Sequence, residues 1–316
     1  MRRALIAAGL ILASLAPSAL AAKDPPIVPS KAIEEKYLAS GQAVIAPDKG
    51  YIFLRAPSRF MGTFVRVPDA QDRADYQFLL DKAFNKAVKA YPGKLALWQR
   101  DIELARQLRE RNLPEKPVEP NRETFSIGDI AQRTSIGMGP LFMFSKSEDS
   151  SEFRYMQEVK PGTYIYYGPV MFVPNGAAAG TCFCMGSVRF EVRAGEITDL
   201  GDFLTVAPDA AAQHSADILP KAKLEHAAQA SFGLPASLAG YRSAPAQFHA
   251  SGKLNNIYGI TISRMPPVPG VLAYDRDTVI DVASGANIAP GTGKPIAEDA
   301  DGAAASPAAA STAAEN

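Results

Sequence analysis

Few residues in this chain could carry chemistry, so their spacing is informative. The two cysteines stand as Cys182-Phe183-Cys184, with Met185 and Gly186 following. In an extended strand, residues i and i+2 face the same way with Cβ atoms about 6–7 Å apart, whereas a disulfide needs about 3.8 Å. A bridge here therefore requires a bend, which Gly180 and Gly186 would permit. Three readings stay open for the pair: a disulfide, two reduced thiols packed in a core, or a soft-metal or redox site. In the last, Cys182, Cys184 and Met185 would hold an ion such as Cu(I). A dithiol catalyst ordinarily uses C-x-x-C at a helix start; here the spacing is C-x-C within β-type sequence.

The three histidines, His214, His226 and His249, lie in unrelated contexts. His214 and His226 are too far apart to ligate from one helical turn, and all three read as surface or loop residues. No G-x-S-x-G elbow, H-E-x-x-H motif, P-loop or dinucleotide fingerprint occurs. Gly137-Met138-Gly139-Pro140 precedes a strand and opens no helix, so it is no phosphate cradle. The carboxylate pairs Asp275/Asp277 and Glu148/Asp149 sit beside turn residues. The expectation is a protein that is not an enzyme, with no catalytic residue, no metal and no cofactor. Formal charge is balanced at 33 basic and 33 acidic residues, which gives no electrostatic case for nucleic acid.

The elements that must position these residues begin after a segment expected to be removed. Arg2 and Arg3, the apolar run Ala4–Leu15 and the small-x-small pattern at Ala19 and Ala21 read as a signal peptide over 1–21, cleaved near Ala21. The apolar run is shorter than the ~20 residues a bilayer span needs, so no transmembrane segment is expected after its removal. The reading is export to the periplasm. At the other end, 286–316 is Ala, Gly, Pro, Ser and acid, and is expected to be a disordered tail.

Between a leader over 22–40 and that tail, 41–285 reads as one mainly β domain. Ser30 is a candidate cap for a short helix over 32–39. Strand signals at 51–55 and 62–67 suggest a hairpin. Helical periodicity then runs through Tyr76, Leu79, Leu80, Phe84, Val88 and Tyr91. After Pro92-Gly93 it continues through Leu95, Trp98, Ile102, Ala105 and Leu108. This reads as a helical hairpin inserted over 69–113 and broken at Pro92-Gly93, a candidate for docking a partner. Arg100, Arg106, Arg109 and Arg111 interleave with Asp101, Glu103 and Glu110 as a solvated face. Strands follow at 141–144, 153–159, 163–167 and 170–173. Val188, Phe190 and Val192 then alternate with Arg189, Glu191 and Arg193, and Ala194-Gly195 is expected to turn the chain into a return strand over 197–206. Short helices over 208–230 and strands at 256–262, 272–274 and 278–282 complete an α+β chain, an antiparallel β-sandwich or open barrel.

Pro161-Gly162-Thr163-Tyr164, followed by Val188-x-Phe190-x-Val192-x-Ala194-Gly195-Glu196-Ile197-x-x-Leu200-Gly201, resembles the DUF2846-like exported β-sandwich proteins of Gram-negative envelopes. The resemblance covers about a third of the chain, implies a β-sandwich and transfers no catalytic residue. The helical insertion and Asp199-Leu200 depart from the pattern. The functional expectation is a periplasmic non-catalytic binding or envelope-associated module, its partner an envelope protein or a small ligand. The competing expectation is thiol redox or Cu(I) handling at Cys182 and Cys184.

Overall fold

Side-chain alternation in the longest strands shows how the core is divided. The computed structural model describes residues 30–109, 111–146, 152–172, 177–205 and 230–288. Strand β2 (Gly50–Ala56) is almost wholly buried because both of its faces are covered. Ile52, Leu54 and Ala56 face one apolar cluster, whereas Tyr51 and Phe53 face another. Strand β7 (Gly162–Gly168) behaves likewise: Tyr164 and Tyr166 join the central cluster, and Ile165 and Tyr167 join a third. Covering both faces explains why these strands read as continuous apolar runs rather than as clean alternation.

The central cluster lies between two sheets. The first has the order β1 (Lys31–Ala32), β6 (Phe153–Val159), β2, β11 (Ile197–Asp199), β12 (Ser243–Pro245), with β5 (Met143–Lys146) also on β6. The second has the order β13 (His249–Ser251), β10 (Ser187–Val192), β7, β3 (Gly62–Arg66), β4 (Ser135–Met138). Phe64, Tyr164, Tyr166, Phe190 and Phe248 fill the gap with edge-on, tilted and stacked contacts at centroid separations of 5.3–6.2 Å. Two small sheets flank this sandwich: β14 (Thr261–Ile262), β9 (Ala178–Cys182), β8 (Val170–Phe172), and the meander β15 (Leu272–Asp275), β16 (Thr278–Asp281), β17 (Ala286–Ile288). The protein is thus mainly β, as its sequence patterning predicts.

Several local expectations are corrected. Strands β2 and β3 form no hairpin: β2 pairs with β6 and β11, β3 with β7 and β4. Nor does the Ala194-Gly195 turn return the chain antiparallel to β10. Gly195, at φ 68°, donates its N–H to Lys49 and hands the chain to the opposite sheet, where β11 runs parallel to β2. That strand ends after Asp199, whose carboxylate accepts from the Gly201 and Gly233 backbone N–H groups. Residues 141–142 are a 3₁₀ turn, and only 261–262 of the 256–262 run is strand. Helix α1 (Glu35–Ala39) is preceded by Glu34 and not by Ser30. Ala286–Ile288, placed in the tail by composition, is the third strand of the meander. The expected signal peptide, the helices expected over 208–230 apart from Ala230, Glu148/Asp149 and residues 289–316 lie outside the described residues.

The insertion after β3 is one helix, α2 (Ala70–Gln107), with Pro92 inside it. Its 38 residues span about 57 Å. The reason is visible in the spacing: Phe84, Val88, Tyr91, Leu95, Trp98, Ile102 and Ala105 keep one unbroken stripe across Pro92-Gly93. The returning chain lies along this helix. Trp98 Nε1 donates to the Pro114 carbonyl at 3.0 Å, Arg122 pairs with Asp81, Phe84 meets Phe125 edge-on, and Tyr76 donates to the Gly128 carbonyl. The insertion is therefore a hairpin of one long helix and one extended strap.

The helix is anchored at its base. Asp69 and Asp72 form a capping box, each side chain accepting from the other's backbone N–H. Arg66, with its side chain 7% exposed, bonds Asp72 at 2.7 Å, and Lys160 reaches Asp69 at 2.6 Å. Burial pushes the Asp72 carboxyl up, but Arg66, the Asp69 N–H and Lys160 outweigh it and hold the group well below its ordinary range.

Candidate functional site

The residues assembled by the crossing from β12 to β13 had no shared signal in the sequence. Strand β12 is the edge of one sheet and β13 the edge of the other. Ala246–Phe248 carries the chain between them, with Phe248 buried and stacked on Phe203. Beside this crossing lies a cleft of about 210 Å³, whose wall includes Thr163, Arg189, Glu191, Glu196, Gln247 and His249. The register explains the grouping. On β10, Val188, Phe190 and Val192 enter the core, so Arg189 and Glu191 point outward. Arg189 sits directly opposite His249, and Glu191 opposite Thr163.

His249, expected to be an isolated surface or loop residue, has a built environment. Its Nδ1 lies 3.1 Å from Oδ2 of Asp281, which is 2% exposed. The same carboxylate accepts from the Ala250 N–H at 3.0 Å and from the Ser284 hydroxyl at 2.6 Å. Burial pushes the Asp281 carboxyl up, yet Ser284, the Ala250 N–H and His249 prevail and hold it below its ordinary value. Asp281 therefore stays ionised and Nδ1 carries the proton that faces it, so Nε2 is the ring nitrogen not held by this carboxylate, on a residue that lines the cleft. The 32-residue separation of His249 and Asp281 hid the pair from any local pattern.

The charges around the cleft are unequally occupied. The Glu196 side chain is 7% exposed and accepts from Arg242 at 3.0 Å, with Arg193 at 4.0 Å. Among the described residues, no ion pair or hydrogen bond occupies the Arg189 guanidinium.

Cys182 and Cys184 form a separate feature. Strand β9 ends at Cys182, the chain turns at Cys184-Met185, and the two Cα atoms come to 5.1 Å with the sulfurs in contact. Gly180 and Gly186, at φ 131° and 138°, supply the bend the sequence requires. A side chain at Gly186 would meet the Tyr274 ring. Both cysteines are buried, at 0% and 4% exposure, in the cluster of Ile165 and Tyr167, while Met185 is 40% exposed. Burial drives the neighbouring Tyr167 phenol up to about 12. Among the described residues no group of three or more His, Cys, Asp or Glu is placed to hold a metal, and no helix is long and apolar enough to cross a membrane. Asp275 ends β15 and Asp277 lies in the turn to β16, outside the cleft. His214 and His226 lie outside the described residues. The chain matches no family model, no curated protein and no solved structure.

Proposed function

We propose that this chain is an exported, non-catalytic binding module that seats a small ligand in the cleft beside β10 and β13. The observation that carries the reading is the orientation of His249. A buried carboxylate fixes one ring nitrogen and leaves the other outside that bond, on a residue that lines the same cavity as Arg189. Ser284 supports a binding role over nucleophilic chemistry, because its hydroxyl donates to Asp281 behind the ring. The signal-like Met1–Ala21 and the resemblance to DUF2846-like exported sandwiches support a periplasmic location. The contact between Cys182 and Cys184 supports a disulfide in an oxidising compartment. A second surface for an envelope partner is the α2 hairpin, whose helix buries only Ala105.

The thiol-redox or Cu(I) reading keeps Met185 as an exposed sulfur, but both cysteine sulfurs would have to leave a buried cluster to react. Titrating the mature chain with a library of small polar solutes, followed by NMR, tests the binding reading. Shifts confined to Thr163, Arg189, Glu191 and His249 are expected. Turnover of a substrate that disappears in His249→Gln would overturn it, as would a library that leaves the cleft unperturbed.

A further inference from the structure

The cleft offers two hydrogen-bonding cations side by side, one permanent and one conditional. Arg189 is permanently charged, opposite His249 in register, and unengaged among the described residues. Guanidinium groups recognise carboxylates through paired N–H donors. The His249 ring changes character with its proton count. Asp281 fixes Nδ1 as a donor in either state, so titration acts on Nε2 alone. In the neutral ring Nε2 is an acceptor that repels an approaching carboxylate oxygen; in the imidazolium it is a donor.

The neighbouring charges fit this division. The acidic groups at this site are Asp281 on β16, Glu191 and Glu196, and the basic ones are Arg189 and Arg193. Glu196 is engaged by Arg242 and Arg193, leaving Arg189, opposite His249 in register, as the positive group with no partner among the described residues. Thr163 on β7 and Ser284 after β16 are uncharged neighbours, and Asp275 stands at the far end of β15, in register with Thr278. Asp281 itself is compensated by its three donors, so it does not present a bare charge to an anion. A volume of about 210 Å³ falls below the ~300–1,000 Å³ of sites that enclose drug-sized ligands. It suits a compact solute of a few carbon atoms.

We propose that the cleft is a proton-gated site for a small organic carboxylate, gripped by the Arg189 guanidinium and by Nε2–H of protonated His249. The inference rests on the binding reading above and specifies its ligand class. Binding takes up a proton when the ring is neutral beforehand, so affinity rises as pH falls.

The test is calorimetric titration of the mature chain with propionate and succinate, and in parallel with propionamide and inorganic phosphate, over about pH 5–8, the range in which histidines titrate. NMR of the His249 ring nitrogens reports where each probe sits. The carboxylates are expected to bind about tenfold more tightly per pH unit of acidification above the ring's titration. Propionamide is expected not to bind. Arg189→Gln is expected to weaken carboxylate binding about 10- to 100-fold at every pH. His249→Gln is expected to bind weakly with a flat pH profile, and its folding is checked by circular dichroism.

Carboxylate binding that is independent of pH, or a pH slope retained in His249→Gln, overturns the gate. Propionamide or phosphate held in preference to the carboxylates overturns the ligand class while the binding module stands. If no probe perturbs the cleft, the ligand class and the binding module fall together.

Discussion

At the scale of single residues, Asp281 does more than orient a histidine. Its carboxylate satisfies the Ala250 N–H, the Ser284 hydroxyl and the His249 ring. An amide in its place would set one N–H₂ group against these donors. We expect Asp281→Asn to lose about 1–3 kcal/mol in urea denaturation, whereas His249→Gln, at a half-exposed position, loses under about 1 kcal/mol. Acid sensitivity follows from the same carboxylates. Asp281 and Asp72 titrate below the ordinary value of 3.8, so the stability they contribute is present above it and is lost as pH falls through their depressed values. Asp199 has the opposite sign: burial raises it, so its contribution is full below 3.8 and fades as pH rises through its raised value. Urea midpoints measured from neutral pH downward should therefore drop below 3.8, and Asp72→Asn should flatten that drop. The cysteine bend was legible in the sequence because the glycines and the C-x-C spacing are local. The His249–Asp281 pair was not, because it depends on which strands become neighbours.

At the scale of elements, the α2 hairpin shows a local signal overruled by a longer one. Pro92-Gly93 marks a helix break, and Pro92 leaves the Val88 carbonyl without its helical donor. Yet the stripe from Phe84 to Ala105 continues in phase across it, and the strap from Pro114 to Gly128 holds that stripe from one side. A true turn would have reset the phase, so the single helix was readable from the spacing. Pro92→Ala restores the missing bond and should stabilise the mid-helix by about 3 kcal/mol. Hydrogen exchange should slow around residues 88–96 while the global urea midpoint stays put, because α2 contributes only Ala105 to the buried residues. The hairpins expected at β2–β3 and β10–β11 failed for a different reason. Adjacent strands with a turn between them either pair or cross to a facing sheet, and here β2, β3 and β11 are buried almost throughout, so alternation could not distinguish the two.

At the scale of the whole molecule, stability rests on the aromatic layer between the two sheets. Phe190 is 2% exposed and touches Phe64, Tyr164 and Phe248. Phe190→Ala should cost about 3–5 kcal/mol in chemical denaturation, more than any change on the α2 hairpin. The mainly β class was legible because its longest strands carry strong β-type runs; the mixed order of the first sheet, with β11 parallel to β2 and β12, was not. The outer rim of that sheet has one further consequence. Ala246 donates inward to the Asp199 carbonyl, so Pro245 occupies the neighbouring outward position, where it offers no N–H. The opposite rim ends in a two-residue strand, Lys31–Ala32. Both borders are poor templates for an incoming backbone, which disfavours fibril-like self-association at high concentration. A ligand that approaches the cleft along β12 is therefore better recognised by its functional groups than by adding on as an extra strand.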